Sequence, residues 1–496
     1  MSQSSQTGPA RWLLGSTILV YLILALLYAV YTPAWQAPDE PAHYNYVQYV
    51  AEQHRFPVLK PGDYPAAYLE EIKAAHFPPE MTIAPIRYEF HQPPLYYLLA
   101  VPVYTLFGDA LLPLRLFSAA IGALLLLVVY WTMRELAPNR PRLALGAIAF
   151  VAFLPMHLAM TAAINNDTLA ELFLATVLLL AIRYLKQAGS PPEEEKDTRL
   201  LVLLGFTTGL GLVTKSSFYI APPLVLLAIV VRALWLDEAS PSITHGLGSL
   251  ALYLLPAGLA LPWWLRNIAL YGGPDFLGLG RHDQVVVGQL RTAEFIAEHG
   301  VVQLVRDFFA TSLCSFWGQF GWMGVLLDQR LYQALAIAST LALIGFLIWA
   351  IRIWHRRKEL PKWQWAAGCL LTLAGLFTLA SYVWYNTNFL QHQGRYLFPA
   401  LVPISLVVTL GWREALHREH ALPMAALLLV GAVVLKLGGW LPNWPLLMLG
   451  VAATAFALCH FLPPRWDPLV HACPYLLLIP LNLASLFLFI VPQLAR

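Results

Sequence analysis

Apolar stretches of roughly 20 residues, the length that carries a helix across a hydrocarbon layer of about 30 Å, recur along the whole chain. They fall near residues 12–31, 113–133, 143–163, 168–186, 199–214, 217–235, 246–265, 331–354, 364–385, 396–415, 421–440, 444–462 and 474–492. This pattern predicts an all-α integral membrane protein with about 13 transmembrane helices, the fifth and sixth being the least clearly marked. Two polar intervals, 32–112 and 266–330, interrupt the rhythm and are long enough to build structure outside the bilayer. Within the first, Pro93–Phe107 is apolar but short, opens on two prolines and contains Pro102, so it reads as an interfacial or partly inserted helix. Within the second, Glu294–Phe309 has the spacing of an amphipathic helix lying on the membrane surface. The run Pro191–Lys196 reads as a solvated linker.

Composition agrees with this picture and narrows it. Of 496 residues 58% are hydrophobic and only 12% charged, against about a quarter charged in soluble domains. A net charge of +3 with no basic run interleaved with aromatics gives no nucleic-acid surface. Four scattered cysteines form neither a zinc knuckle nor a disulfide framework. The polar Met1–Arg11 leads into an apolar run without a small-residue cleavage site, which reads as an uncleaved first span.

Positive residues collect on the cytoplasmic side of membrane proteins. Placing the N-terminus inside puts Arg134, Arg140, Arg142, Lys186, Lys196, Arg199, Arg352, Arg356, Arg357, Lys358, Lys362, Arg413, Arg418 and Arg465 on inner loops. The long intervals 32–112 and 266–330, and the C-terminus, then lie outside. Counting Pro93–Phe107 as a crossing would move every later cluster outward.

Against that bias, Lys215, Arg266, Arg281, Arg291, Arg306 and Arg395 sit near span ends on the outer side. Each alone suits a snorkelling anchor or ion-pair partner, but their convergence suits an anionic ligand such as a lipid phosphate. Just past the first span, Ala37-Pro38-Asp39-Glu40-Pro41-Ala42-His43 places adjacent carboxylates beside a low-dielectric boundary. Spacing alone favours solvated helix-start residues there; the functional reading is a carboxylate tuned to take a proton from a hydroxyl. His43 shares a helical face with Asp39 and either orients it or joins it as a metal ligand, so a divalent metal stays open. Asn165-Asn166-Asp167 is a helix start, a polar rim facing the same cavity, or both. His91-Gln92-Pro93-Pro94-Leu95-Tyr96-Tyr97 combines polar and aromatic groups that serve equally as interfacial anchors or as a sugar platform.

In order and spacing, these motifs resemble the GT-C superfamily of multispanning glycosyltransferases, which includes protein O-mannosyltransferases and lipid A aminoarabinose transferases. The resemblance rests on the DE pair, PPLYY followed by LFG, LRLFSAAIGALLLLVVY, INND at 164–167, GLGLVTKSS at 209–217, PWWLRNIALYGGP at 262–274, FWGQFGWMGV at 316–325 and QGRYLFPALVP at 393–403. The last three, with PDEPAH, look most like a bacterial branch of predicted membrane proteins of unknown function. The similarity covers about residues 12–415, which makes 1–415 the expected catalytic module and 416–496 a C-terminal set of helices.

The resemblance implies transfer of a sugar from a polyprenyl-phosphate carrier to an acceptor, at the outer (periplasmic) face of a bacterial inner membrane. By position, Asp39 would be the base and Glu40 its neighbour, with inversion at the anomeric carbon. Arg395, Lys215 and Arg266 would hold the donor phosphate. His43, His91, Gln92 and Tyr96, then Asn166, Asp167, Asn267, Tyr271 and Gln393, would face substrate. The absence of a large C-terminal soluble domain points to a lipid or glycan acceptor. A multispanning transporter is the competing class, although transporters gather polar residues near the bilayer midplane and often show two similar halves; a non-catalytic lipid or glycan binder is the third.

Overall fold

The computed structural model describes residues 4–188, 194–237, 243–437 and 443–495. The linker at Pro191–Lys196 lies largely outside the described residues, as does the end of the predicted span 421–440. Helices make up almost all of the rest, and the one sheet is a two-stranded hairpin pairing Gln319–Phe320 with Val325–Leu326.

Among the described residues, eleven helices are long and apolar enough to cross a membrane. The pair Pro141–Phe153 and Pro155–Thr161, bent by 67°, makes a twelfth when counted as one broken span. Pro155 causes the bend, since it removes a backbone donor and crowds the preceding turn. The count of thirteen is therefore not reproduced. The expected span 199–214 is the helix Glu194–Leu212, which packs between Asp167–Lys186 and Ile243–Ala257 and returns the chain to the end where Lys215 meets Asp167, although its charged first turns shorten its apolar stretch. The short apolar helix Leu95–Phe107 is present as a separate element outside the set of spans. Glu294–Phe309 is helical within Thr292–Gly318, but Gly300 breaks it at φ 81°, so two segments replace the single amphipathic rod.

The bundle has two chemically distinct ends. At one, Glu135 bridges Arg183 and Lys186, Arg352 pairs with Glu414, and Arg418 pairs with Asp467. At the other, the interval after the first span folds into the helices Glu40–Gln53 and Ala66–Ala74 and the turn Tyr88–His91. This layer has its own apolar core, built on Tyr44, Tyr46, Val47, Leu59, Phe90 and Tyr97, so it is a packed lid and not a loose loop.

Close helix approach depends on glycine. A Cβ on Gly411 would lie 1.9 Å from the Ala342 carbonyl oxygen, so Gln329–His355 and Leu401–Ala415 can meet only backbone to backbone. The same holds at Gly394, where a Cβ would lie 2.3 Å from the Ser312 carbonyl oxygen. Gly394 also donates its N–H to Ser315 Oγ at 2.7 Å, which locks the segment carrying Arg395 against Thr292–Gly318.

Candidate active site

Asp39 caps the helix Glu40–Gln53 in the left-handed conformation, φ 66° and ψ −6°. This backbone is uncommon for a residue with a Cβ and is kept only where surroundings impose it. The imposing contact is its neighbour. Glu40 turns inward, where Arg115 grips it with Nε to Oε1 at 2.8 Å and Nη2 to Oε2 at 2.7 Å. Arg115 also donates to the carbonyls of Ala29, Thr32 and Pro33, while Glu40 accepts from the backbone N–H of Trp35 and of Ile164. The pair ties the end of the first span, the Asp39 turn and the bent helix into one joint. Glu40 is fully buried, and the structure does not bring it to Asp39's side of the turn.

Asp39 faces the other way. Its Oδ2 accepts from Arg395 Nη2 at 2.7 Å and its Oδ1 from the Tyr88 hydroxyl at 2.7 Å. Arg395 further donates from Nε to Gln393 Oε1 at 2.7 Å, leaving Nη1 only the Met160 sulfur at 3.8 Å. Burial pushes the Asp39 carboxyl up, but Arg395 outweighs it, with help from His43 and Tyr88, and holds the group well below the usual carboxylate range.

A second ion pair stands beside the first. Lys215 Nζ meets Asp167 Oδ1 at 2.9 Å and donates to Asn166 Oδ1 at 2.9 Å. Asn166 also donates to the Thr214 carbonyl at 3.2 Å, with Gln92 Oε1 nearby at 3.5 Å, so the INND and QPP motifs converge. Asn165 Oδ1 accepts from the Thr168 N–H at 3.3 Å, which fits the helix-start reading of 165–167.

Glu89 was not singled out from sequence. It is buried, its Oε2 has no hydrogen-bond partner, and burial, reinforced by the charge of Asp39, pushes its carboxyl above the ordinary range. Two neighbouring carboxyl groups are thus driven apart in acidity, Asp39 downward and Glu89 upward, an arrangement characteristic of acid–base sites. Tyr88, Tyr97 and Tyr396 complete the wall: Tyr97 is hydrogen-bonded to His43 Nδ1 at 2.9 Å, and Arg395 lies against the Tyr396 ring at 5.4 Å.

Other sequence candidates fall elsewhere. Tyr96 is sealed in the core and bonded to Ser118 Oγ at 2.7 Å. Arg266 donates to the Pro57 carbonyl at 2.5 Å and packs on the Trp263 ring at 4.4 Å. Asn267 is spent on the Phe276 carbonyl and Tyr271 on the Leu59 N–H, so this group fastens the two outer segments together. His91 donates through Nδ1 to the Tyr88 carbonyl at 3.0 Å, and its ring meets His282 at 4.6 Å; burial holds His91 down at about 4.

A metal ion at Asp39 and His43 does not fit these residues. Both Asp39 oxygens and His43 Nδ1 are engaged, and no three His, Cys, Asp or Glu side chains converge among the described residues.

The fold is that of a polytopic membrane protein whose helices are arranged as in solved proteins of the GT-C fold. The chain belongs to the family of predicted membrane proteins DUF2142, whose pattern matches residues 84–404. It is similar to the Archaeoglobus fulgidus oligosaccharyltransferase tethered to an acceptor peptide, at 13% identity and a TM-score of 0.50, over 94% of this chain and 55% of that one. The chain therefore spans about half the length of that relative. It is also similar to ArnT from Cupriavidus metallidurans bound to undecaprenyl phosphate, at 16% identity and a TM-score of 0.50, over 97% of this chain and 76% of that one. No curated protein matches it.

Proposed function

We propose that this protein transfers a sugar from a polyprenyl-phosphate carrier to a hydroxyl of a lipid or glycan acceptor, at the outer face of a bacterial inner membrane. The observation that carries the reading is the joining of Asp39 and Arg395, 356 residues apart, at 2.7 Å beneath a packed outer layer. A carboxylate and a guanidinium placed together supply the two things the reaction needs. One accepts a proton where the nucleophile forms, and the other binds negative charge where the leaving group develops.

In the step envisaged, the acceptor oxygen attacks the anomeric carbon while the bond from that carbon to the phosphate oxygen breaks. The polyprenyl phosphate departs with the bonding electrons, stabilised by Arg395 and Lys215, and the acceptor proton passes to Asp39. Attack opposite the leaving group inverts the anomeric centre. Glu89, whose Oε2 has no partner in the protein, offers a polar contact to a sugar hydroxyl or to the acceptor. The GT-C fold and the ArnT structure with undecaprenyl phosphate support a polyprenyl-linked donor. The arginine-rich opposite end and the bias of cytoplasmic loops toward positive charge support the outer face. Charges gathered at one end, not at the midplane, weigh against transport.

The test is to incubate purified protein with a panel of polyprenyl-phosphate sugars and membrane lipid acceptors, following release of polyprenyl phosphate. Wild type should consume at least one donor, and Asp39→Asn should not. Equal turnover by Asp39→Asn would refute the assignment.

A further inference from the structure

We propose that the resting protein keeps both donor-facing cations in internal ion pairs, and that the lipid phosphate must displace the two carboxylates, so that donor binding is what frees Asp39 to act as base. The inference rests on the reading of Arg395 and Lys215 as phosphate ligands. It adds an order of events: donor first, acceptor deprotonation second.

The geometry for a displacement is in place. Asp39 occupies Arg395 through a single oxygen, whereas a guanidinium prefers two oxygens held in a fork. The remaining Arg395 nitrogen, Nη1, meets only a thioether, a weak acceptor that a phosphate oxygen would readily replace. Lys215 is likewise held by Asp167 and by the Asn166 amide oxygen. A phosphate carries several oxygens and can engage both cations together, which neither carboxylate can.

Asp39 cannot follow its cation by moving the backbone, because the buried Glu40–Arg115 joint fixes that turn. Its side chain stays tethered to the Tyr88 hydroxyl. Once Arg395 turns to phosphate, Asp39 loses a cation and gains an anionic neighbour, and both changes raise its affinity for a proton. By linkage, whatever Asp39 contributes to holding Arg395 in the resting state must weaken phosphate binding by the same factor.

The experiment is a binding titration of polyprenyl monophosphate, with no sugar and no acceptor, against the full chain in nanodiscs. Wild type, Asp39→Asn, Asp167→Asn and Arg395→Ala are compared, each checked by thermal unfolding. Removing either competing carboxylate should tighten binding about fivefold or more, the lower end of ordinary site-to-site coupling. Arg395→Ala should weaken it. Should Asp39→Asn unfold early, Asp167→Asn tests the second pair independently. Unchanged or weaker binding by the folded Asn variants, with Arg395→Ala still impaired, overturns the displacement while leaving the phosphate site standing. Wild-type-like binding by Arg395→Ala, or no binding by any form, overturns the phosphate site and the displacement together.

Discussion

Glu40→Ala should damage the fold more than any other single carboxylate change in the outer layer. Arg115 and Glu40 have side chains 3% and 0% exposed, and share two hydrogen bonds of 2.8 and 2.7 Å. Truncating Glu40 leaves a guanidinium buried without its counter-charge and orphans the N–H groups of Trp35 and Ile164. Breaking a buried pair by removing one partner costs about 3–5 kcal/mol, a large part of the stability of a domain. Glu40→Gln should be milder in shape but still lose the charge. The assay is thermal or denaturant unfolding in nanodiscs, with exposed Glu71→Ala as the control, together with turnover of whichever donor the protein accepts. Glu40→Ala should unfold well before the control and lose activity in step with folded protein, whereas Asp39→Asn, at a carboxylate 28% exposed, should lose turnover far out of proportion to any loss of folded protein. If Glu40→Ala is as stable as Glu71→Ala, the joint does not hold the Asp39 turn and the division of labour between the adjacent carboxylates is wrong.

With an active donor in hand, Asp39→Asn should reduce kcat about 10²–10⁴-fold, the usual contribution of a positioned base, and a smaller loss by rate assay would point to another base. Gly394→Ala forces a Cβ to 2.3 Å from the Ser312 carbonyl oxygen, so Arg395 must shift; overpacking of about 1–3 kcal/mol and loss of lipid-phosphate binding should follow, read by unfolding and titration. His91 falls from 6.5 to about 4 on folding, so the folded form binds fewer protons. Its contribution, at most about 3 kcal/mol, is full above pH 6.5 and lost as pH falls toward 4, a slope that His91→Gln should reduce in unfolding curves. Glu89 shifts the opposite way, because burial raises it: stability falls as pH rises through the window above 4.5, and Glu89→Gln should flatten that part of the curve.

How far this site can be read from the chain differs residue by residue. Asp39, Arg395, Lys215, Asn166 and Asp167 all stand in motifs at span ends, where charge is expensive and topology puts them on one side, so their convergence follows from the apolar pattern and the charge bias. The roles of Asp39 and Glu40 do not. Nothing in their spacing says which faces inward; the decision lies in the left-handed turn at Asp39 and in Arg115, 75 residues away inside the second span. Adjacent tyrosines separate for a related reason. Neighbouring residues on a helix point about 100° apart, so Tyr97 reaches His43 while Tyr96 is turned to Ser118. Arg266 resembles a phosphate ligand in sequence, yet the outer layer consumes its donors at Pro57. Glu89 is the reverse case, a lone carboxylate in a polar interval that reads as solvated until the packed layer over it is known. The helix Glu194–Leu212 begins with charged residues that shorten its apolar stretch, although it carries the chain back to the end where Lys215 meets Asp167.

The most direct measurement is a cryo-electron microscopy structure of the full chain in nanodiscs with a polyprenyl phosphonate-linked sugar, an analogue that cannot transfer. The account predicts the phosphonate on Arg395 and Lys215, Asp39 released from Arg395 but still held by Tyr88, and the anomeric carbon facing Asp39. A phosphonate at Arg266 or at the arginine-rich opposite end, with the Asp39–Arg395 pair intact, would contradict it.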